Sequence, residues 1–592
     1  METETVFTPK ERAAYDRYIS EVEKLVDNPN QSVGIYIEQL AEKNPDKIAL
    51  YFEDKFWTYK EFNEESNLYA NLFLNLGLKP GETIALMMEN SPEYLFITTG
   101  INKIQGINAL VNINQRGQAL IHSIKIVEPK YLIVDGDCLA ALAEVVNNLP
   151  LRQDQILIIN DFNKKQTEYA DLQRKLEEIS KKNPSTTNNS ILTETGYYIY
   201  TSGTTGLPKA VIITNVSMPW NGVFYGYSIS QANADDVILI ANPLYHSLSI
   251  CTAWGITTYA GATAVLRKKF SASNFWKDVQ KYKITYTTYV GEIPRYILNQ
   301  PPSEYEHNHT LKKMLGLGLR KDIWTKFKER FKIEHIFEYY SSTEGYGPIV
   351  NIDEVPGMIG RNNIQNHALA KVDQETGELI RNNDGSYIKC EPGDVGMSLM
   401  KIEEIENFTK YRNKEKTNQK VIRDVFEKGD AYFITGDLLQ LHEDQWLSFS
   451  DRFGDTFRWK GENVSTQEVE NILNSHESIL MSAVYGVEIP NHEGKAGMAA
   501  IKFDPGVGFN SEVISRFVIQ ALPKYTIPIF IRICDQLEVT GSKKLRKSNL
   551  RKEGYKINEI TDPLYIWDSS ERIYTQFDSS KHQAIIQGKL EF

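Results

Sequence analysis

The residues best placed to do chemistry lie in Tyr198–Ala210, which reads YIYTSGTTGLPKA. Thr201, Ser202, Thr204 and Thr205 are interspersed with Gly203 and Gly206, and Lys209 stands at the exit. Glycines let backbone N–H groups approach an anion closely, hydroxyls add donors, and a lysine neutralises charge, so the loop suits a polyphosphate. The Gly-Lys-Ser/Thr that opens a helix in a Walker loop is absent. Taken alone, the same string also fits a polar hairpin turn. Further on, NPLYHSLSI sets Tyr245 and His246 between apolar runs, where a histidine serves packing as readily as proton transfer. LGLGLRKDIW (Leu315–Trp324) reads as a short strand ending at Gly318, with Arg320 next and a helix from about Asp322. Such a turn admits a nucleotide closely, and equally serves as a plain strand–turn–helix. In IFEYYSSTEGYG (Ile336–Gly347), Tyr339 and Tyr340 offer faces for a purine, followed by small hydroxyls including Thr343, then Glu344. A carboxylate beside a phosphate loop is a natural ligand for the magnesium that accompanies ATP; without that neighbour it is a solvated loop acid. Asp437, in ITGDLL, suits ribose hydroxyls, with Arg452 as a further contact. Phe453-Gly454-Asp455 is a glycine-centred break on which a domain boundary can pivot. Near the end, TGSKKLRK carries Lys543 and Lys544 on a Gly-Ser turn, by composition a solvated basic face.

The elements that must position these groups alternate. Apolar strands are expected at Ile48–Phe52, Glu82–Met88, near Ala109–Asn112, at Tyr131–Val134 and at Ile156–Ile159. Helices are expected over Trp57–Leu78, from about Ser91, and near Gly117–Val127. That order implies parallel sheet with helical cover. The segment Asn163–Asn189 reads as a surface helix and loop, and both flanks of the Ser/Thr/Gly loop read as strands. Gly357–Asn418 is rich in strand and turn signals, Ser465–Leu473 is a capped amphipathic helix, and alternation continues to about Tyr555 as a small separate domain. The tail beyond 560 carries no signal.

With 592 residues the chain needs two or more cores. It is 41% hydrophobic and 24% charged, ordinary for a soluble globular protein. A net charge of −11 argues against nucleic acid as a partner, though not against a small anion. The four cysteines are scattered without a CxxC pair, so neither a zinc site nor a disulfide framework is expected. No signal peptide and no uncharged apolar run of about 20 residues is visible, which points to a cytoplasmic protein.

Taken in order, these motifs resemble the AMP-forming acyl-CoA synthetase superfamily along roughly residues 35–555. YVGEIPRYILNQPP, FEKGDAYFITGDLL, GDTFRWKGENVSTQEVE and LEVTGSKK resemble in particular the fatty-acid transport protein and very-long-chain acyl-CoA synthetase family. The resemblance implies an α/β fold: a large N-terminal adenylate-forming domain (1–451) with parallel-type sheets and a β-rich subdomain, a hinge (452–455), and a small mobile C-terminal α+β domain (456–592). It implies that ATP, Mg2+ and coenzyme A serve two half-reactions, acyl-adenylate formation and thioester formation. By resemblance Thr201, Ser202, Gly203, Thr204, Thr205 and Lys209 hold the β,γ-phosphates. Tyr340 stacks on adenine beside Gly318, Thr343 contacts the α-phosphate, Glu344 with Thr201 holds magnesium, and Asp437 and Arg452 hold the ribose. The family's late lysine falls on Lys544, with Lys543 as its neighbour, and bridges the carboxylate and the α-phosphate. His246 is the candidate facing the carbonyl. Rotation about the hinge then exchanges Lys544 for the Trp459–Asn463 loop.

Three positions depart from the family pattern: Ser341 stands for a glycine, Asn215 for a histidine, and Leu317 for an asparagine. The expected activity is ligation of a long- or very-long-chain fatty acid to coenzyme A. The alternatives are a bulky carboxylate of bile-acid or carnitine type, and a fatty-acid uptake or binding role. Peripheral contact with a membrane and a homodimer are both compatible with the sequence.

Overall fold

The computed structural model describes residues 7–160, 169–201, 207–319, 321–344, 348–362, 366–373, 378–403, 410–452, 456–492, 494–504, 506–537, 547–590 and 592. Ser202, Gly203, Thr204, Thr205, Arg320, Lys543 and Lys544 lie outside them, as do Phe453-Gly454-Asp455.

Two sheets dominate. A seven-stranded sheet runs in the order Ala170–Asp171, Ile156–Ile159, Tyr131–Asp135, Thr83–Met87, Ile107–Leu110, Thr195–Thr201, Lys209–Thr214. It is parallel except at its last pair, where the two flanks of the Ser/Thr/Gly loop lie antiparallel. An eight-stranded sheet is parallel from His335–Tyr340 through Ile48–Phe52, with antiparallel strands at both edges. Thr83–Met87 is buried along its whole length. That is why it reads as a continuous apolar run: helices cover both faces of a parallel sheet.

Local sequence sets the helices. Thr58 and Glu61 form a capping box ahead of Tyr59–Asn75. Ser91 caps Pro92–Lys103, whose Pro92 fills the first turn where no N–H partner is needed. These two helices cross closely at Gly100, where a Cβ would meet the Ser66 carbonyl at 2.6 Å. Lys103 ends the second helix fully buried, donating to Glu38, Asn63 and Asn67. Burial pulls its pKa down to about 8. The first helix, α1 (Pro9–Asp27), is capped by Thr8 and Glu11.

The β-rich stretch forms a six-stranded antiparallel sheet, with Asp437 opposite Arg452 in its ladder. Residues from Phe457 to Ile585 have a core of their own, built on a five-stranded sheet. The segment beyond 560 belongs to that sheet: Leu564–Asp568 and Ile573–Gln576 are its last strands, followed by the helix Ser579–Ile586. One expectation is corrected. The described part of 163–189 contains no α-helix: Ala170–Asp171 extends the sheet edge, carrying Leu172 into the core, and short 3-10 turns follow. Among the described residues no helix is long and apolar enough to cross a membrane.

Candidate active site

The carboxyl ends of parallel strands are where open α/β sheets receive ligands, because backbone turns and helix starts gather there. Here strands of both main sheets end on one cavity of about 2190 Å3. Thr201, Lys209, His246 and Gly318 line it, as do Tyr340, Thr343, Glu344 and Asp437. Residues far apart in sequence are therefore brought to a single space. The backbone of Arg452 pairs with that of Asp437 in the antiparallel ladder.

Lys209 begins the strand that leaves the Ser/Thr/Gly loop, and it is 6% exposed. Its ammonium lies 5.0 Å over the ring of Tyr411, whose hydroxyl donates to Glu344 Oε1 at 2.5 Å. Burial pulls the Lys209 pKa down to about 8; Lys420 and Lys416 push the same way, and Glu344 opposes them. Lys410, on the same segment as Tyr411, is also lowered by burial against the pull of Glu344. The segment is fixed by backbone bonds from Ile212 N to Lys410 O and from Arg412 N to Ala210 O, both 2.9 Å. The result is a cluster of cations around Glu344 in which burial disfavours the charged forms of Lys209 and Lys410. Tyr411, Lys410 and Lys420 carried no signal in the sequence, since they sit in a strand- and turn-rich stretch remote from the loop they complete.

Tyr340 ends its strand 8% exposed, and its hydroxyl donates to Asp437 Oδ2 at 2.8 Å. Burial first, then the charge of Asp437, raises the phenol pKa well above its usual value, so it stays a donor. Asp437 is steadied by a bond from its own N–H to Thr435 Oγ1. Gly318 adopts φ 79°, which a side chain would strain, and Glu338 holds the turn after it by accepting from Leu319 N at 3.0 Å. Glu338 also accepts from the Tyr289 hydroxyl at 2.7 Å, and it is a site residue the sequence did not single out.

His246 meets the 457–585 unit directly. Its Nε2 lies 3.2 Å from Glu462 Oε1, with side-chain exposures of 34% and 19%. Glu462 follows the turn Lys460–Gly461, both at positive φ, that joins Thr456–Trp459 to Glu462–Ser465. Burial works against its charge, but His246 and Arg458 together hold the carboxyl below its usual range. The Trp459–Asn463 loop thus lines the cavity through Lys460, Gly461 and Glu462, and Glu462 ties it to His246. The signal for Glu462 was its place in GENVS; nothing in the sequence paired it with His246.

The fold is that of the adenylate-forming ligases. An o-succinylbenzoate CoA synthetase of Bacillus subtilis bound to its product analogue matches with a TM-score of 0.69 at 21% identity, covering 89% of this chain and 98% of that one. The amide bond synthetase McbA of Marinactinospora thermotolerans matches with a TM-score of 0.70 at 17% identity, covering 88% and 100%. The family model described as AMP-binding enzyme matches residues 37–388, and that of the AMP-binding enzyme C-terminal domain matches 468–544. This chain belongs to the AMP-binding enzyme family. It is 38% identical over 570 residues to long-chain fatty acid transport protein 2 of Rattus norvegicus, covering 94% of this chain and 91% of that protein. It is 32% identical over 562 residues to the medium/long-chain-fatty-acid–CoA ligase FadD6 of Mycobacterium tuberculosis, covering 95% and 92%.

Proposed function

We propose that the chain joins a long- or very-long-chain fatty acid to coenzyme A through an acyl-adenylate, releasing pyrophosphate and then AMP. The observation that carries this reading is the single cavity in which a cation cluster, Glu344 and the Tyr340–Asp437 pair converge. The names of the full-length relatives point to the same acid.

A carboxylate acylates poorly until one of its oxygens belongs to a phosphate leaving group, so neutralising charge is the main catalytic need. In this reading Thr201, Ser202, Gly203, Thr204, Thr205 and Lys209 bind the β,γ-phosphates, with Lys410 and Lys420 adding charge. Tyr340, Gly318, Asp437 and Arg452 hold the nucleoside, and Thr343 the α-phosphate. Glu344 and Thr201 offer hard oxygen donors, which fit magnesium. Among the described residues no cluster of three His, Cys, Asp or Glu is gathered, which suits an ion carried largely by the triphosphate. Bound there, it would offset phosphate charge. Lys544 bridges the carboxylate and the α-phosphate as the acid oxygen attacks phosphorus and pyrophosphate leaves. Residues 452–455 serve as the hinge between 1–451 and 456–592, and the Trp459–Asn463 loop is the element present when the thiol sulfur attacks the carbonyl and AMP leaves. His246, held by Glu462, faces that carbonyl. The work belongs in this reading to the cytoplasm, with peripheral contact at a membrane supplying a lipid-dissolved acid, and a homodimer is compatible with it.

The test is pyrophosphate release with Mg-ATP across acids from acetate to very long chains plus a bile acid, with and without coenzyme A, beside Lys544→Ala. Strong turnover with long chains, dependent on coenzyme A and lost in the variant, is expected. Preference for the bile acid or a short acid, or ATP binding without turnover, overturns the reading.

A further inference from the structure

The helix α1 lies outside the stretch matched by the family model, yet it grips two walls of the cavity. At its start the Thr8 hydroxyl donates to Asp353 at 2.9 Å. Glu11, 3% exposed, lies 3.5 Å from Arg361 Nε. These contacts hold the 353–361 turn, of which Gly357, Met358 and Ile359 line the cavity. Midway, the Arg17 guanidinium donates twice to the Ser228 carbonyl, at 2.9 and 2.6 Å. Near its end Glu21 accepts from the Tyr259 hydroxyl at 2.5 Å.

A second wall is irregular for a reason. Residues Gly222–Ser230 form a π-helical stretch in which the hydroxyls of Ser228 and Ser230 bond carbonyls five residues back, Val223 and Tyr225. The widened turn sets Tyr225 against Tyr339 with centroids 4.6 Å apart, and both face the cavity. One turn earlier, Trp220 also lines the cavity, stacked on Phe224 at 4.7 Å and 13°. Tyr18 of α1 meets both rings edge-on, at 6.4 and 5.4 Å, and its hydroxyl accepts from Trp220 Nε1 at 3.2 Å. Through Trp220, α1 thus reaches this part of the cavity lining. Trp220, Tyr225 and Tyr339 together give the cavity an aromatic stretch of lining.

We propose that this aromatic lining receives the methyl end of the acyl chain and that Trp220, positioned by Tyr18, is the stop that sets the longest acid accepted. The inference rests on the fatty-acid reading above and goes beyond it by assigning chain length to one side chain and one helix. Carbon beyond the indole must displace it or stay in water, whereas removing the ring opens room for more methylenes. Each methylene newly buried is worth about 0.8 kcal/mol, or about fourfold in kcat/KM.

The test has two readouts. In Trp220→Ala the ratio of kcat/KM for lignoceric over palmitic acid rises at least about tenfold. Tyr18→Phe, which keeps the ring and loses only the hydrogen bond, moves the ratio the same way by less. Independently of turnover, a stearic acid brominated near its methyl end quenches tryptophan fluorescence of the parent protein more than one brominated near the carboxylate, and Trp220→Phe abolishes the difference. Equal scaling of all acids in Trp220→Ala, or unchanged tail quenching in Trp220→Phe, overturns the stop. If the parent neither binds nor turns over any fatty acid, the acyl-CoA reading itself falls and the stop with it.

Discussion

The contact between His246 and Glu462 makes a quantitative demand on the second half-reaction. Counted as a hydrogen bond to a charged acceptor, the 3.2 Å contact is worth about 1.5–3 kcal/mol. With a third of the histidine exposed, solvent and side-chain entropy hold the coupling towards the lower limit, about 1–2 kcal/mol. The pair exists only while the Trp459–Asn463 loop stands at the cavity, so it biases the chain towards that arrangement by the same amount. Glu462→Gln should therefore lower the ratio of thioester formation to pyrophosphate exchange by about 5–30-fold, since 1.4 kcal/mol is tenfold. The first rate is read in a single turnover of preformed acyl-adenylate with coenzyme A, the second by isotope exchange into ATP. His246→Gln and the double variant complete a cycle whose coupling energy should be about 1–2 kcal/mol. A parallel fall in both half-reactions, or strict additivity in the cycle, would refute that bias.

Two further outcomes are expected. Because the free Lys209 ammonium has its pKa pulled down to about 8 and a bound polyphosphate favours the charged form, binding takes up a proton above that pH. ATP affinity is then fullest below about pH 8 and falls as pH rises through it; calorimetry in two buffers of unlike ionisation enthalpy reads the uptake, and Lys209→Gln removes it while weakening binding by about 10–100-fold. Asp437→Asn should raise the KM for ATP by about tenfold and shrink the discrimination between ATP and 3′-deoxy-ATP, as loss of a charged acceptor does. An unchanged ratio would remove Asp437 from the ribose.

What could be read from the chain divides along physical lines. Ile156–Ile159 and Thr83–Met87 announce themselves because a strand buried on both faces has no polar alternation to confuse it. Tyr59–Asn75 is legible from its capping box and its apolar stripe. The π-helical stretch at Gly222–Ser230 is not, since its sequence is a mixture of glycine, serine and aromatics whose hydroxyl bonds only folding reveals. The strands beyond 560 are equally hidden: each is short, and each is defined by the neighbour it pairs with. The site shows the same division. Lys209, Glu344 and Asp437 sit in local strings with recognisable chemistry, whereas Tyr411 touches Glu344 across 67 positions and Glu462 touches His246 across 216. Such pairings are properties of the fold, and no local pattern encodes them.

The backbone bonds joining 410–412 to Ala210–Ile212 have a bearing on solubility. Lys209–Thr214 is the last strand of its sheet, and an open strand edge is a template for pairing with another molecule. Here the chain guards that edge with its own segment, rich in Lys and Arg, a charge type that resists edge-to-edge addition. The residues that gather anions inside the cavity and those that keep the sheet from growing are thus one short piece of backbone. A lesion that frees 410–412 would expose the sticky edge at the same moment as it dismantles the cation cluster, so loss of nucleotide binding and onset of aggregation should arrive together.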